Sequence, residues 1–168
     1  AIALVGATFK KGFVKNKVLE FIGPGIKNLS MDFRLGIDVM TTETTCLSSI
    51  WETDETTREF FKIHGREGDF KELHPEQPAY YDGAVVIDLS RIEPMIALPF
   101  HPSNAYTIRE VIENAKDILG EVEALGNKLK GAETFHLTNK IKDGKIYVDQ
   151  GIIAGCAGGK YENIAEAA

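Results

Sequence analysis

Cysteine is scarce in this chain of 168 residues: there are two, Cys46 and Cys156. Two cysteines cannot build the disulfide framework of a small secreted domain, and no Cys-x-x-Cys pair is present, so both thiols are expected to be reduced. Long apolar runs are also lacking. The longest, residues 1–7 at the start, falls far short of the roughly 20 residues a membrane helix needs, and no signal-peptide pattern occurs. No membrane is therefore expected as a partner, and a cytoplasmic location is the simplest expectation. Positive charge is short as well: 19 Lys and Arg stand against 25 Asp and Glu, a formal charge of -6. With no basic cluster flanked by stacking aromatics, nucleic acid is not expected as a partner.

What is present is ordinary globular composition, 43% hydrophobic and 26% charged. A chain of this length is expected to bury roughly 70% of its unfolded surface, enough for a core that needs no metal or disulfide. The first residue is Ala1 rather than methionine, and Ala165 to Ala168 read as a helix just begun. Both ends are expected to be cut.

Along the chain, residues 1–12 read as the tail of a helix and Val18 to Ile22 as a buried strand ended by Gly23-Pro24-Gly25. Phe33, Ile37 and Met40, behind Ser30 as N-cap and Asp32 in the first turn, predict a helix over 31–43. A second strand is expected over 44–51 and a surface helix over 55–63, with Phe60 and Phe61 turned inward. A charged loop over 65–78 follows. Ala84 to Leu89 is the clearest buried strand by composition, and residues 93–104 read as a proline-punctuated connection. A helix is predicted from Thr107 to about Lys130 with a break near Gly120, then a strand over 145–154, a glycine turn at 155–159 and a helix from Tyr161. Strands alternating with helices imply a three-layer α/β/α fold with a mostly parallel sheet, whose ligands bind at the carboxyl ends of strands.

Two places there could carry chemistry. In Gly155-Cys156-Ala157-Gly158-Gly159 a thiol stands at a strand end before a helix, where amide groups and the helix dipole favour a thiolate and hence metal or cluster ligation. The alternatives are a small residue filling a tight turn, or glycines cradling a phosphate. Glu43 lies where a helix hands over to a strand, and a carboxylate there faces the negative end of the dipole, so solvent or a cation should compensate. The alternative is an exposed glutamate in a threonine-rich loop. Of the rest, Arg34 reads as an ion pair with Asp38 at i+4, His101 as a loop-shaping residue, His64 and His74 as solvated, Cys46 as a small buried hydrophobe, and Trp51 as core.

Several segments together resemble the aconitase superfamily. Glu20 to Gly25, Leu29 to Asp32, Met40-x-x-Glu43 and Gly65-Arg66 resemble its second domain. Asp88-Leu89-Ser90-x-x-Glu93-Pro94 and Pro99-Phe100-x-Pro102 have counterparts there, and Gly155 to Asn163 resembles its first cluster-cysteine motif. The resemblance implies an aconitase-type α/β domain over 1–144 and, over 145–168, the first strand and helix start of the following domain. It implies a hydro-lyase acting on a small hydroxy carboxylic acid through a [4Fe-4S] cluster held by three cysteines, with Cys156 as the first. The other two would lie in a Cys-x-x-Cys beyond Ala168. Glu43 matches the family's active-site glutamate. Ala157 and Gly158 depart from the Thr-Asn that usually follows the cysteine, Val39 stands where asparagine is usual, and residues 121–142 have no counterpart. The segment alone is expected to hold no cluster and to be inactive, the remaining domains of the same polypeptide being its partners. The competing expectation is a free-standing α/β module that binds an anion at residues 155–159 or regulates without catalysis.

Overall fold

The computed structural model describes residues 1–168. Helix α1 (Ile2–Thr8) leads through a turn to β1 (Val18–Phe21). A 3-10 turn, Pro24–Asn28, precedes α2 (Met31–Met40), which tightens into a second 3-10 turn, Thr41–Thr44, before β2 (Ser48–Trp51). Helix α3 (Glu55–Ile63) follows, then a long irregular stretch, β3 (Met95–Ala97), β4 (Ala105–Thr107), α4 (Ile108–Glu113), α5 (Ala115–Gly126), β5 (Ile141–Lys142), β6 (Lys145–Ile146), α6 (Gly155–Gly158) and α7 (Tyr161–Ala167). The fold is α/β: β1 and β2 run parallel, Val18 beside Ser48 through Phe21 beside Trp51, with α2 as the crossover. The β3–β4 and β5–β6 pairs are antiparallel. No helix is long and apolar enough to cross a membrane.

The local chemistry explains most element ends. Ser30 accepts from the Phe33 amide and starts α2. Reciprocal capping boxes, Asp54 with Thr57 and Thr107 with Glu110, start α3 and α4. The helix after Thr107 does break, but at Asn114 rather than at Gly120. Asn114 leaves helical geometry (φ -122°, ψ 32°), while Gly120 stays inside α5, since a helical glycine costs only about 1 kcal/mol.

Leu98, Val111, Leu119 and Val122 form one buried cluster, closed by Tyr106, Phe135, Leu137 and Ile146. Leu4, Val5 and Thr8 of α1 are also buried, and this helix packs against β3, β4 and the 41–44 turn. One expectation of pairing fails. Arg34 is the buried residue of α2. It reaches Asp54 rather than Asp38, whose Oδ1 accepts instead from Ser49 Oγ (2.6 Å) and Trp51 Nε1 (3.0 Å). The Arg34 fork points toward the 24–28 turn and the start of α3, away from its own helix surface, so the i+4 partner is out of its path.

Two predicted strands are absent as strands. Residues 84–88 are irregular, with Val86 91% exposed, and of residues 145–154 only Lys145 and Ile146 pair. Ile152 is 76% exposed. The 84–87 run has the continuous apolar character of a strand covered on both faces, and neither it nor residues 147–154 have a neighbouring strand to bond. The accessible surface is 11837 Å², against about 8,200 Å² for a folded monomer of this size. The burial expected from length is therefore not reached, and apolar segments remain uncovered.

Candidate functional site

Glu43 sits in the 3-10 turn that ends α2, and the threonines around it form a C-terminal cap. Thr41 Oγ1 donates to Asp38 O (2.7 Å), Thr42 Oγ1 to Val39 O (2.9 Å) and Thr44 Oγ1 to Thr41 O (2.6 Å). These hydroxyls satisfy carbonyls that a helix end leaves without partners. Thr41 and Thr44 are buried while Thr42 is exposed, so the turn is anchored on both sides of Glu43. Thr45 then takes a left-handed conformation (φ 63°) and redirects the chain toward β2. The threonine-rich stretch is a built turn, not a loose loop.

One basic side chain comes within 4 Å of the Glu43 carboxylate. His101 Nε2 lies 3.8 Å from its Oε2, and the two side chains are 35% and 40% exposed. His101 comes from the loop between β3 and β4, far away in sequence, and its proximity to Glu43 carries no signal in residue spacing. The proline-bounded loop itself was legible; what it faces was not.

Cys156 is exposed and its thiol is free. It belongs to α6, a single turn of helix, and α7 starts separately at Tyr161. The helix expected from Tyr161 is present, and the glycine turn before it is coiled into one helical turn that carries the thiol. The segment is held by α2. A Cβ on Gly36 would stand 3.0 Å from Ala157 O, so the glycine admits the Cys156 segment to the helix surface. At the start of α2, Ser30 Oγ donates to Glu162 Oε2, and the Glu162 amide donates to Asp32 Oδ2 (3.0 Å). Asn163 Oδ1 is enclosed without a donor. Gly36 and Glu43 are seven residues apart, roughly 10 Å along a helix axis. One helix thus fastens the thiol-bearing segment along its body and carries the carboxylate at its end.

The other sequence candidates lie elsewhere. Cys46 is half-buried, and its thiol donates to Thr41 O (3.4 Å), below the Glu43 turn. Trp51 stacks on Phe21 with centroids 4.2 Å apart. His64 Nδ1 lies 2.7 Å from Phe60 O, and His74 Nδ1 lies 2.8 Å from Glu52 Oε1. No group of three or more His, Cys, Asp or Glu side chains converges as a metal site.

A parallel β-α-β unit whose central helix carries a capped glutamate and docks a glycine-flanked thiol defines an α/β domain of a class with a site shared among segments. The comparisons give it a family. The aconitase family (aconitate hydratase) model matches residues 1–168, and the chain belongs to that family. The 3-isopropylmalate dehydratase large subunit of Caldicellulosiruptor saccharolyticus is 32% identical over 152 residues, 90% of this chain and 28% of that protein. The large subunit 1 of the same enzyme from Thermotoga maritima is 38% identical over 106 residues, 63% of this chain and 24% of that protein. The large subunit from Campylobacter hominis is 40% identical over 96 residues, 57% and 23% of the two chains. The chain spans about a quarter of the length of these relatives.

Proposed function

We propose that this chain is one part of an aconitase-family hydro-lyase, contributing Glu43 and the first cluster cysteine, Cys156, to a site completed by the remaining domains of the same polypeptide. The observation that carries the reading is the shared use of α2, which runs into the 3-10 turn holding Glu43 and fastens the Cys156 segment through Gly36, Ser30 and Asp32. The residues present fit a cluster as one corner of it: a free, exposed thiol in a glycine-rich turn, able to ligate as thiolate once its partners are supplied. When bound, a [4Fe-4S] cluster supplies Lewis acidity toward a substrate hydroxyl or carboxylate. The capped turn gives Glu43 a fixed position from which to accept or return a proton as water is lost or added.

Residues 1–144 are assigned to the α/β domain and 145–168 to the opening of the next. The boundary falls in the turn of the β5–β6 hairpin. The excess of about 3,600 Å² of accessible surface over a self-contained monomer, with Val85, Val86, Val148, Ile152 and Ile153 exposed, supports partners from the rest of the protein over a free-standing module. The substrate class is a small hydroxy carboxylic acid, in keeping with relatives named for 3-isopropylmalate.

The test uses the full-length gene product purified without oxygen. Iron and sulfide content and hydration of a panel of unsaturated acids are measured for Cys156→Ser and Glu43→Gln. Cys156→Ser is expected to lose the cluster, and Glu43→Gln to keep it while slowing turnover by about 10²-fold or more. Full cluster content in Cys156→Ser removes that residue from the site, and wild-type turnover in Glu43→Gln removes the glutamate.

A further inference from the structure

We infer that His101 is a positioning residue for Glu43, its Nε2–H held toward Oε2 so that the other carboxylate oxygen is left for the reacting group; this rests on the assignment of Glu43 to the hydro-lyase site. Three constraints hold the imidazole. Its ring stacks on Phe9 at the end of α1, with centroids 3.8 Å apart and planes 23° apart. The Ser103 amide donates to Nδ1 at 3.1 Å, with Ser103 Oγ at 3.0 Å from the same atom. The loop is closed by Asn104 Nδ2 donating to Pro99 O (2.7 Å), the Asn104 amide to His101 O (2.8 Å) and the Leu98 amide to Asn104 O (2.8 Å).

The Ser103 contact decides the tautomer. A backbone N–H can only donate, so Nδ1 must accept, and the proton of the neutral ring belongs to Nε2. That nitrogen is the one facing Glu43, at 3.8 Å. The separation exceeds a hydrogen bond of about 2.7–3.2 Å, and catalytic hydrogen bonds that are long in a ligand-free site tighten in the complex. Both partners stand on fixed backbone, the capped 41–44 turn and the closed 99–104 loop, so a small side-chain adjustment closes the gap. No other basic side chain within 4 Å competes for the carboxylate.

The experiment compares His101→Leu, His101→Gln, Glu43→Gln and the double variant Glu43→Gln/His101→Leu in the full-length enzyme, with kcat, KM and iron content measured for each. His101→Leu is expected to lower kcat on the order of tenfold, as loss of an orienting partner does, with KM and iron content unchanged. His101→Gln, whose amide can donate from nearly the same place as Nε2, is expected to recover most of that loss. The double variant should be no slower than Glu43→Gln. A histidine-selective ¹⁵N spectrum of the wild-type protein should assign the His101 proton to Nε2. Wild-type kcat in His101→Leu while Glu43→Gln is slow, or equal loss in His101→Leu and His101→Gln with iron intact, overturns the role of His101 and leaves that of Glu43. A proton on Nδ1 does the same. Wild-type turnover in Glu43→Gln removes the underlying assignment instead.

Discussion

Arg34 and Asp54 form a bidentate ion pair in which the guanidinium is 2% exposed, with Nη1–Oδ1 at 2.8 Å and Nη2–Oδ2 at 2.7 Å. Its remaining donors reach Leu29 O and Ile26 O, both at 3.0 Å. The pair thereby joins α2, the turn before it and the N-cap of α3, and with Nη1 also donating to Thr57 Oγ1 (3.4 Å) each guanidinium nitrogen is engaged.

Arg34→Met should destabilise the protein by about 2–3 kcal/mol, because it leaves a half-buried carboxylate without its cation and Leu29 O without its side-chain donor. Arg34→Lys should recover little of this, since one ammonium cannot reproduce the fork. Denaturant unfolding monitored at Trp51 measures both; equal stability of Arg34→Met and wild type would refute the structural role.

Acid should weaken the same junction. The hydrogen bond from Arg34 holds the Asp54 carboxyl below its ordinary value of 3.8. A depressed folded pKa means the unfolded chain binds more protons in that window. The stabilisation is therefore present above about pH 3.8 and is lost as pH falls through the lower folded value. Asp54→Asn should flatten the acid limb of a stability-against-pH curve, and an unchanged limb would contradict the assignment.

A second acid-sensitive clasp is Glu123. The Thr138 amide and hydroxyl donate to its Oε2 at 2.9 and 2.7 Å, and these bonds, the amide first, pull its pKa down to about 2, with His136 adding to the effect. The contribution is complete above pH 4.5 and lost between there and about 2. Glu123→Ala should loosen the 127–140 segment from α5, seen as faster amide exchange at Thr138 with the rest of α5 unchanged.

The Cys156 segment can be disturbed without touching the thiol. A Cβ at residue 159 would stand 2.5 Å from Gly155 O and 3.2 Å from Gly155 N, contacts that backbone atoms cannot yield cheaply. Gly159→Ala should therefore unwind α6 and lower iron content in the full-length protein, while Gly68→Ala, in open space, should not. Equal iron content in both variants would show that the turn is not needed.

The Glu43 turn offers a matched test. Thr44 is fully buried, and its hydroxyl both donates to Thr41 O and accepts from the Cys46 amide (3.4 Å). Thr44→Val keeps the volume and removes both bonds, at a cost of about 1–3 kcal/mol. The expected sign at the site is a fall in kcat larger than any change in KM. Thr44→Ser should restore it, and failure to do so would point to packing rather than the hydroxyl.

Several local features were legible because each depends on a few neighbouring residues. Ser30 as N-cap, the strand over 18–21, the helix over 55–63 and the helix start after Thr107 follow from short-range hydrogen bonding and periodicity. Residues 84–89 and 147–154 were read as strands but have no partner within reach, and a strand exists only as half of a ladder. Arg34 misled for a related reason: i+4 spacing names a possible partner on the helix, while the actual one was delivered by a different element.

By itself the sequence determined the α/β class and the capped helix leading to Glu43, together with the family likeness carried by its motifs. Only the tertiary structure decided that α2 serves both the Glu43 and the Cys156 segments through Gly36, that Arg34 belongs to Asp54, and that His101 comes to face Glu43. The division is physical. Caps and turns are settled by bonds between residues a few positions apart, whereas pairings across the chain depend on which faces the packing of α1, β3 and β4 brings together, and no residue encodes that alone.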